Sequence, residues 1–160
     1  MSAIVVIGGQ WGDEGKGRIV DLLAQKAHIV ARYSAGNNAG HTIINELGEF
    51  KLHLVPAGIF YSDKICIIGN GCVVDPEELL NEIEHLQERG VDVKGRLFLS
   101  DRANVLMPWH KAIDLADEKL RGEGAIGTTG RGVGPAFQDK VGRAGIRVAI
   151  LTGREKGKER

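Results

Sequence analysis

The chain has 160 residues, 42% of them apolar, which is typical of one globular domain and not of a disordered chain. Lysine plus arginine and aspartate plus glutamate each number 21, so there is no basic excess for binding nucleic acid. No apolar run approaches the roughly 18–20 residues that span a bilayer. The only two cysteines, Cys66 and Cys72, form neither a disulfide framework nor a zinc spacing, so we expect buried thiols in a reducing, cytoplasmic setting.

The first part of the chain predicts a βαβ unit. Ala3–Ile7 is a short apolar run bounded by glycines, as in a buried parallel strand. Gly17–Lys26 places its apolar residues on one helical face, and His28–Tyr33 has the composition of a second strand. The crossover between these strands is expected to be right-handed.

The next segments predict a hairpin, a strand and a helix. Ile43–Ile44 and Phe50–Val55 flank a polar turn, and Lys64–Ile68 is an apolar strand that ends at the turn Gly69–Gly71. The helix that follows begins at Asp75, because an aspartate before a proline is a strong N-cap signal.

Within this helix we expect Glu78 to reach back to the backbone of Asp75, and Gly90 to end the helix. Downstream, Arg96–Ser100 resembles a strand and Pro108–Arg121 a helix. Its inward residues are expected to be Trp109, Ile113, Ala116 and Leu120.

The last part contains a long Gly-rich loop, Gly122–Pro135, and a final strand predicted from the alternation of Ile146, Val148 and Ile150. Strands that alternate with helices predict an α/β fold with a mostly parallel sheet and flanking helices. We expect one domain over residues 1–150, followed by a charged, frayed tail at 151–160.

The loop Gly8–Gly17 joins the first predicted strand to the first helix. Backbone N–H groups at such a helix start can cradle phosphates. The loop is not a standard P-loop, because Gln10 replaces a glycine and Gly17 replaces the serine or threonine that binds magnesium. A carboxylate among phosphates is repulsive unless it holds a metal or takes part in the chemistry. We therefore interpret Asp13 as a magnesium ligand, a general base, or both.

A second Gly-rich loop, Ser34–Thr42, follows the second predicted strand. In open α/β sheets, ligands bind beyond the carboxyl ends of the strands, so the two loops should be neighbours. His41 could donate to a phosphate oxygen or protonate a leaving group, and Asn38 could pair with an anion or a base.

Several segments resemble, in order and spacing, the signature segments of the adenylosuccinate synthetase family. They are Gly9–Gly17, Asn38–Thr42, His53–Ile59, Ile68–Gly71 and Gly127–Pro135. The resemblance covers roughly residues 3–148 and implies a P-loop-like GTP-binding ligase fold.

The resemblance also implies an activity. The family joins IMP and L-aspartate into adenylosuccinate, the precursor of AMP, while GTP is hydrolysed with magnesium as cofactor. It implies that Asp13 removes the N1 proton of IMP and binds magnesium, that Lys16 binds phosphate, and that His41 assists departure of the phosphoryl group from GTP. The 6-oxygen of IMP is phosphorylated, and the aspartate amine then displaces phosphate.

The binding residues implied by the resemblance fall into three sets. The GTP set is Gly12, Asp13, Glu14, Gly15, Lys16, Gly17, Arg18, Gly40, His41 and Thr42. The IMP set is Asp13, Glu14, Gly15, Lys16, Asn38, Ala39, Gly40, His41, Thr129 and Arg143. The metal set is the Asp13 carboxylate and the Gly40 carbonyl, and Arg143 is implied to serve the neighbouring subunit of a homodimer.

Family members are much longer, and the sequence departs from their pattern after Val148. We therefore expect the N-terminal portion of such an enzyme, inactive alone and poorly soluble because a divided sheet exposes an apolar edge. Two alternatives remain: a phosphotransferase or GTPase that uses the first loop as a general phosphate site, and a non-catalytic nucleotide-binding fragment.

Overall fold

The structure, a computed structural model, describes residues 2–9, 15–38 and 40–153. The helices and strands in chain order are α1 (Lys16–Ala24), β1 (Ile29–Ala35), β2 (His41–Asn45), β3 (Gly48–Leu52), β4 (Ile65–Val74), α2 (Pro76–Glu88), β5 (Leu97–Leu99), β6 (Asn104–Val105), α3 (Pro108–Arg121), α4 (Val133–Val141) and α5 (Val148–Leu151). The parallel sheet with flanking helices confirms the predicted fold class. No helix in the described ranges is long and apolar enough to cross a membrane.

Strand β4 is the centre of the main sheet. It pairs in parallel with β1 along one edge, and with β5 and then β6 along the other. Strands β2 and β3 form the predicted antiparallel hairpin. Because β1 and β4 are parallel, their carboxyl ends lie together, and the second Gly-rich loop therefore starts beside the start of α2.

One face of the sheet packs into the main core. Val30, Cys66 and Ile68 point into this core, which also contains residues of the hairpin and of α2. Both cysteines are buried and free, as expected, and burial raises the pKa of Cys66 to about 11.

The predicted ends of α2 are confirmed. Asp75 caps the helix by accepting hydrogen bonds from the N–H groups of Glu77 and Glu78. Gly90 follows the helix with a positive φ of 83°, which a residue without a Cβ adopts without strain. The expected back-bond from Glu78 is replaced, because its carboxylate accepts a hydrogen bond from Arg131.

The prediction of a buried strand at Ala3–Ile7 is wrong for this structure. These residues have no strand assignment, and Ile4, Val5 and Ile7 are 74%, 70% and 71% exposed. A strand needs a neighbour that pairs with it and covers its side chains, and an apolar run alone supplies neither.

The predicted turn at Gly69–Gly71 is also wrong, because β4 continues through it with an irregular register against β1. A Cβ at Gly71 would lie 1.9 Å from the carbonyl oxygen of Tyr33. This glycine is therefore required by close contact between two strands and not by a turn.

The final predicted strand is wrong as well. Val148 and Ile150 lie in the short helix α5, and Arg147 alone bridges to Asn104. An alternating pattern over so few residues does not distinguish a strand from a helical turn.

Helix α3 has its predicted bounds but presents a different face to the protein. Trp109, Ile113 and Leu120 are 46%, 43% and 85% exposed, whereas His110 and Asp114 are buried. Polar partners explain this orientation. The His110 ring bonds the N–H of Met107 and the carboxylate of Asp139, and Asp114 accepts from the N–H of Gly132.

Candidate functional site

The second Gly-rich loop is packed tightly where it leaves β1. Ala35 has a positive φ of 82°, and the Arg32 guanidinium donates to the carbonyl of Gly36 at 2.8 Å. A Cβ at Gly36 would lie 2.8 Å from a methyl of Val73 and 3.0 Å from one of Val133. The start of the loop is therefore fixed between β4 and α4.

The end of this loop contacts the first helix. Helix α1 follows Gly15, which has a positive φ of 80°. A Cβ at Gly17, in the first turn of α1, would lie 2.6 Å from the Cβ of His41 and 2.9 Å from its Cγ. The helix that follows the first loop and the histidine of the second loop are therefore in direct contact.

The electrostatic environment of His41 favours the neutral ring. Burial, and then the positive charge of Arg32, hold the pKa of His41 below its usual 6.5, while Asp21 opposes this shift. The Nε2 atom is buried and has no hydrogen-bond partner among the described residues. This ring is neutral at pH 7, and its second nitrogen is available to a polar group.

Asn37 adds a second buried polar group to the loop. It is 1% exposed, and its amide nitrogen donates to Asp75 Oδ2 at 3.4 Å. Asp75 in turn pairs with Lys111 at 2.6 Å, and this hydrogen bond raises the pKa of the Lys111 ammonium. The Oδ1 atom of Asn37 has no partner among the described residues. Because buried polar atoms are normally paired, the loop has the character of a ligand-binding segment.

Arg131 connects the third Gly-rich segment to the second loop. Its Nη1 atom lies 2.9 Å from the carbonyl oxygen of Asn37, 3.1 Å from Glu78 Oε1 and 3.3 Å from His53 Nδ1. The His53 ring covers Gly40, where a Cβ would lie 2.6 Å from its Cε1. One guanidinium therefore links α2, the strand exit at residue 53 and the loop that carries His41.

The Gly-rich segment before Arg131 is held by a carboxylate of α3. Glu118 accepts from the N–H groups of Ile126, Gly127 and Thr128 at 2.8–3.4 Å. The hydrogen bond from Gly127 is the main reason that the pKa of Glu118 is lowered. Thr129 follows these three residues and is exposed.

The segment ends where Gly132 packs against the backbone of α3. It has a φ of 78°, and a Cβ would lie 2.6 Å from the carbonyl carbon of His110 and from the nitrogen of Lys111. Thr129 therefore lies between two fixed points: residues 126–128, which are bonded to Glu118, and Gly132, which packs against the backbone of α3.

The predicted site residues fall into three groups. The two loops that meet at the contact between Gly17 and His41 contain Gly15, Lys16, Gly17, Arg18, Asn38, Gly40, His41 and Thr42. Residues outside the described ranges are Gly12, Asp13, Glu14 and Ala39. The remaining two, Thr129 and Arg143, lie on other segments.

Arg143 lies outside both loops in the sequence. It has a φ of 61° and lies in the turn after α4. Val133, which contacts Gly36, is at the opposite end of this nine-residue helix, about 13 Å away along its axis.

Sequence reasoning missed the polar network around the loop. Sequence patterns identify Asp75 only as a helix cap, and they give neither Asn37 nor Lys111 a role of its own. The position of Asp75 directly after β4, at the carboxyl edge of the sheet, was a usable signal. In the described ranges, no group of three or more His, Cys, Asp or Glu side chains could hold a metal ion.

A parallel sheet with a Gly-rich loop at the carboxyl end of one of its strands is an architecture of α/β nucleotide-binding proteins. The family model described as adenylosuccinate synthetase matches residues 5–160. The chain therefore belongs to the adenylosuccinate synthetase family. The match runs through Arg160, so the expected departure after Val148 does not end the likeness.

Curated relatives named adenylosuccinate synthetase are similar over nearly the whole chain. The protein of Desulforamulus reducens is 54% identical over 155 residues, which are 97% of this chain and 36% of that one. The protein of Heliobacterium modesticaldum is 56% identical over 151 residues, 94% of this chain and 35% of that one. The chain thus spans about a third of the length of these relatives.

Two solved structures resemble the fold. A fully ligated adenylosuccinate synthetase from Plasmodium falciparum has a TM-score of 0.80 and 42% identity, covering 90% of this chain and 34% of that one. A cyanophage S-2L succinoaminodeoxyadenylate synthetase bound to dGMP and dATP has a TM-score of 0.67 and 23% identity, covering 92% of this chain and 41% of that one. The second likeness concerns the fold alone.

Proposed function

We propose that this chain is the IMP-activating and GTP-phosphate-binding part of a cytoplasmic purine-biosynthesis ligase. The enzyme joins IMP and L-aspartate into adenylosuccinate at the expense of GTP, through a 6-phosphoryl-IMP intermediate. The observation that carries the proposal is the contact between α1 and His41, in a chain 52–56% identical to adenylosuccinate synthetases. In this contact, a half-buried imidazole lies beside the N-terminus of a helix, and helix N-termini are common phosphate-binding sites.

Three side chains carry the chemistry in this proposal. Asp13 takes the N1 proton of IMP, which places negative charge on O6 and makes it a nucleophile. Lys16 pairs with phosphate oxygens. The N–H of the neutral His41 ring donates to the β-phosphate oxygen, on which charge grows as the phosphoryl group leaves.

A magnesium ion fits the donor set that the resemblance implies. The Asp13 carboxylate and the Gly40 carbonyl would hold it, and hard oxygen ligands of this kind are the ones that magnesium prefers. When bound, the ion would neutralise charge on the phosphates. Thr129 and Asn38 would contact IMP.

The proposal includes a homodimer in which Arg143 serves the partner's IMP. Arg143 lies at the far end of α4 from the second loop, and this position supports a role outside its own subunit. A long positively charged side chain in an exposed turn is suited to reach an anionic ligand on a neighbouring molecule.

Calorimetric titration with IMP and with GTP plus magnesium tests the function directly. We expect the 160-residue chain to bind both nucleotides without turnover, and His41→Asn to weaken the binding of GTP. The exposed His85→Asn variant is the matched control and should bind as the parent does.

The alternative of a non-catalytic fragment is favoured if adding the remaining part of a relative restores no adenylosuccinate formation. Phosphate release that does not depend on IMP would favour a general GTPase, and failure to bind either nucleotide would contradict the proposal.

A further inference from the structure

Two carboxylates of α3 hold the two ends of the Gly-rich segment 126–132. Glu118 accepts hydrogen bonds from the N–H groups of residues 126–128 at 2.8–3.4 Å. Asp114 accepts from the N–H of Gly132 at 2.8 Å. Residues four apart in sequence are neighbours on a helix surface, so the two carboxylates lie along the same side of α3. We call Glu118 and Asp114 the carboxylate clamp.

The carboxylate clamp ties the helix and the segment to each other. Two carboxylates at this spacing repel each other on a helix. Four backbone N–H groups of the segment compensate for this repulsion by donating to them. The pair of acids is therefore suited to holding a backbone and not to stabilising α3 alone.

The two points of the clamp differ in how firmly they hold. Asp114 is 7% exposed, and Gly132 is buried against the backbone of α3. A Cβ at Gly130 would lie 2.9 Å from a methyl of Leu115, so α3 also contacts the segment there. At the other end, the Ile126 side chain is 67% exposed, and its N–H bonds Glu118 at the surface. Packing fixes the Gly132 end, whereas hydrogen bonds to Glu118 fix the other.

Thr129 lies in a turn between these two points. The Thr128 Oγ1 atom accepts from the N–H of Gly130 at 3.4 Å, which closes a turn around Thr129. The N–H of Thr128 itself donates to Glu118. Loss of the Glu118 carboxylate should therefore loosen the turn at Thr129 while the segment stays attached to α3 at Gly132.

We propose that Glu118 is a positioning residue of the nucleotide site, which holds Thr129 in the conformation that contacts IMP. This inference rests on the proposed function, in which Thr129 binds IMP. Glu118 acts through the backbone of residues 126–128 and does not touch the nucleotide. If the loosened segment adopts the binding conformation only about a tenth of the time, the apparent Kd for IMP rises about tenfold.

Calorimetry on the 160-residue chain tests this proposal with Glu118→Gln. Glutamine keeps the side-chain length and the helix propensity but exchanges one acceptor oxygen for an NH2 donor. We expect about tenfold weaker IMP binding, with unchanged binding of GTP plus magnesium and an unchanged Tm. Amide hydrogen exchange at residues 126–128 should become faster, and exchange within α3 should stay the same.

Glu123→Gln is the matched control, because it removes the same charge from an exposed residue of the same Gly-rich loop. It should bind IMP as the parent does. Removing a negative charge near an anionic nucleotide would by itself strengthen binding. Weaker IMP binding by Glu118→Gln therefore has the opposite sign to a simple charge effect.

A double-mutant cycle separates positioning from a general structural role. If Glu118 acts through Thr129, Glu118→Gln should weaken IMP binding little further in a chain that already carries Thr129→Ala. Additive effects of the two substitutions would overturn the proposal. So would unchanged IMP binding by Glu118→Gln, or equal losses of IMP and GTP binding together with a lower Tm. A parent chain that binds no IMP would overturn the proposed function and this inference with it, whereas the other outcomes overturn this inference alone.

Discussion

The half-buried imidazole of His41 links the stability of the fold to pH. Its pKa in the folded chain lies below 6.5, so the unfolded chain binds a proton first as the pH falls through that value. The free energy of unfolding should therefore decrease over this window, and the loss should level off once the folded ring also titrates. Urea unfolding from about pH 7.5 to pH 5 should give a smaller decrease for His41→Asn than for the parent. If the free energy of unfolding changes with pH equally in the parent and in His41→Asn, the half-buried environment of His41 is contradicted.

The contact between α1 and His41 can be tested by adding one methyl group. Gly17→Ala places a Cβ within 2.6 Å of the His41 Cβ, so one of the two segments must shift. We expect a loss of about 1–3 kcal/mol in the free energy of unfolding. Gly134→Ala is the matched control, since Gly134 is also the second residue of a helix but has no atom within 4 Å of the added Cβ. The control should leave the free energy of unfolding unchanged or raise it slightly. If Gly17→Ala also leaves it unchanged, the contact between α1 and His41 is loose.

Helix α2 fixes the strand exit that carries His53. The buried Glu82 carboxylate accepts from the N–H groups of His53, Leu54 and Val55 at 2.6–3.2 Å. Burial raises the pKa of Glu82, and these hydrogen bonds oppose that shift. The segment 53–55 after β3 is therefore held by a single carboxylate, whose two oxygen atoms both accept hydrogen bonds.

Replacing that carboxylate by an amide should loosen the junction between β3 and α2. Glu82→Gln keeps the shape but exchanges one acceptor for a donor, which leaves a buried N–H unpaired and should cost about 1–3 kcal/mol in urea unfolding. Glu84→Gln, on the exposed side of the same helix, should change stability little. Equal effects of the two substitutions would show that the hydrogen bonds from these three N–H groups contribute nothing specific to stability.

Elements with local signals were predictable from the sequence. Asp75, Pro76 and Gly90 define the ends of α2, because caps depend on neighbouring residues only. The bounds of α3 were also predictable, but its buried side was not, because Asp114 and His110 face inward to meet partners on later segments. Apolar periodicity cannot anticipate a polar side chain that is buried by a distant hydrogen bond.

In the candidate site, too, some features were predictable from the sequence and others were not. The sheet-edge rule predicts that the first two Gly-rich loops meet, and Gly17 does contact His41. The premise of that prediction is wrong for the first loop, because residues 3–7 before it form no strand. The link from Asn37 through Asp75 to Lys111 joins residues far apart in sequence and needed the three-dimensional structure. The role of Asp13 stays a prediction, since that residue lies outside the described ranges.

At the scale of the whole molecule, the apolar side chains of Ile29, Ile65 and Phe98 are exposed on one side of the main sheet. We expect poor solubility of the 160-residue chain, since apolar patches on a sheet promote self-association. Ile29→Lys combined with Phe98→Lys should raise the soluble fraction after centrifugation without lowering Tm, because both side chains are exposed already. Val30→Lys, on the buried face, should lower Tm strongly. A parent chain that is monomeric, highly soluble and melts in a sharp transition would contradict this expectation.

The proposed nucleotide site requires His41 to lie beside bound phosphate at the start of α1. A nitrogen-15 NMR titration of the histidine rings, with His41→Asn to assign the signal, measures its pKa with and without GTP and magnesium. We predict that saturating GTP raises the pKa of His41, because negative phosphate oxygens stabilise the protonated ring. An unchanged pKa at saturating GTP, or no saturation at all, would contradict the claim that these two loops form a nucleotide-phosphate site.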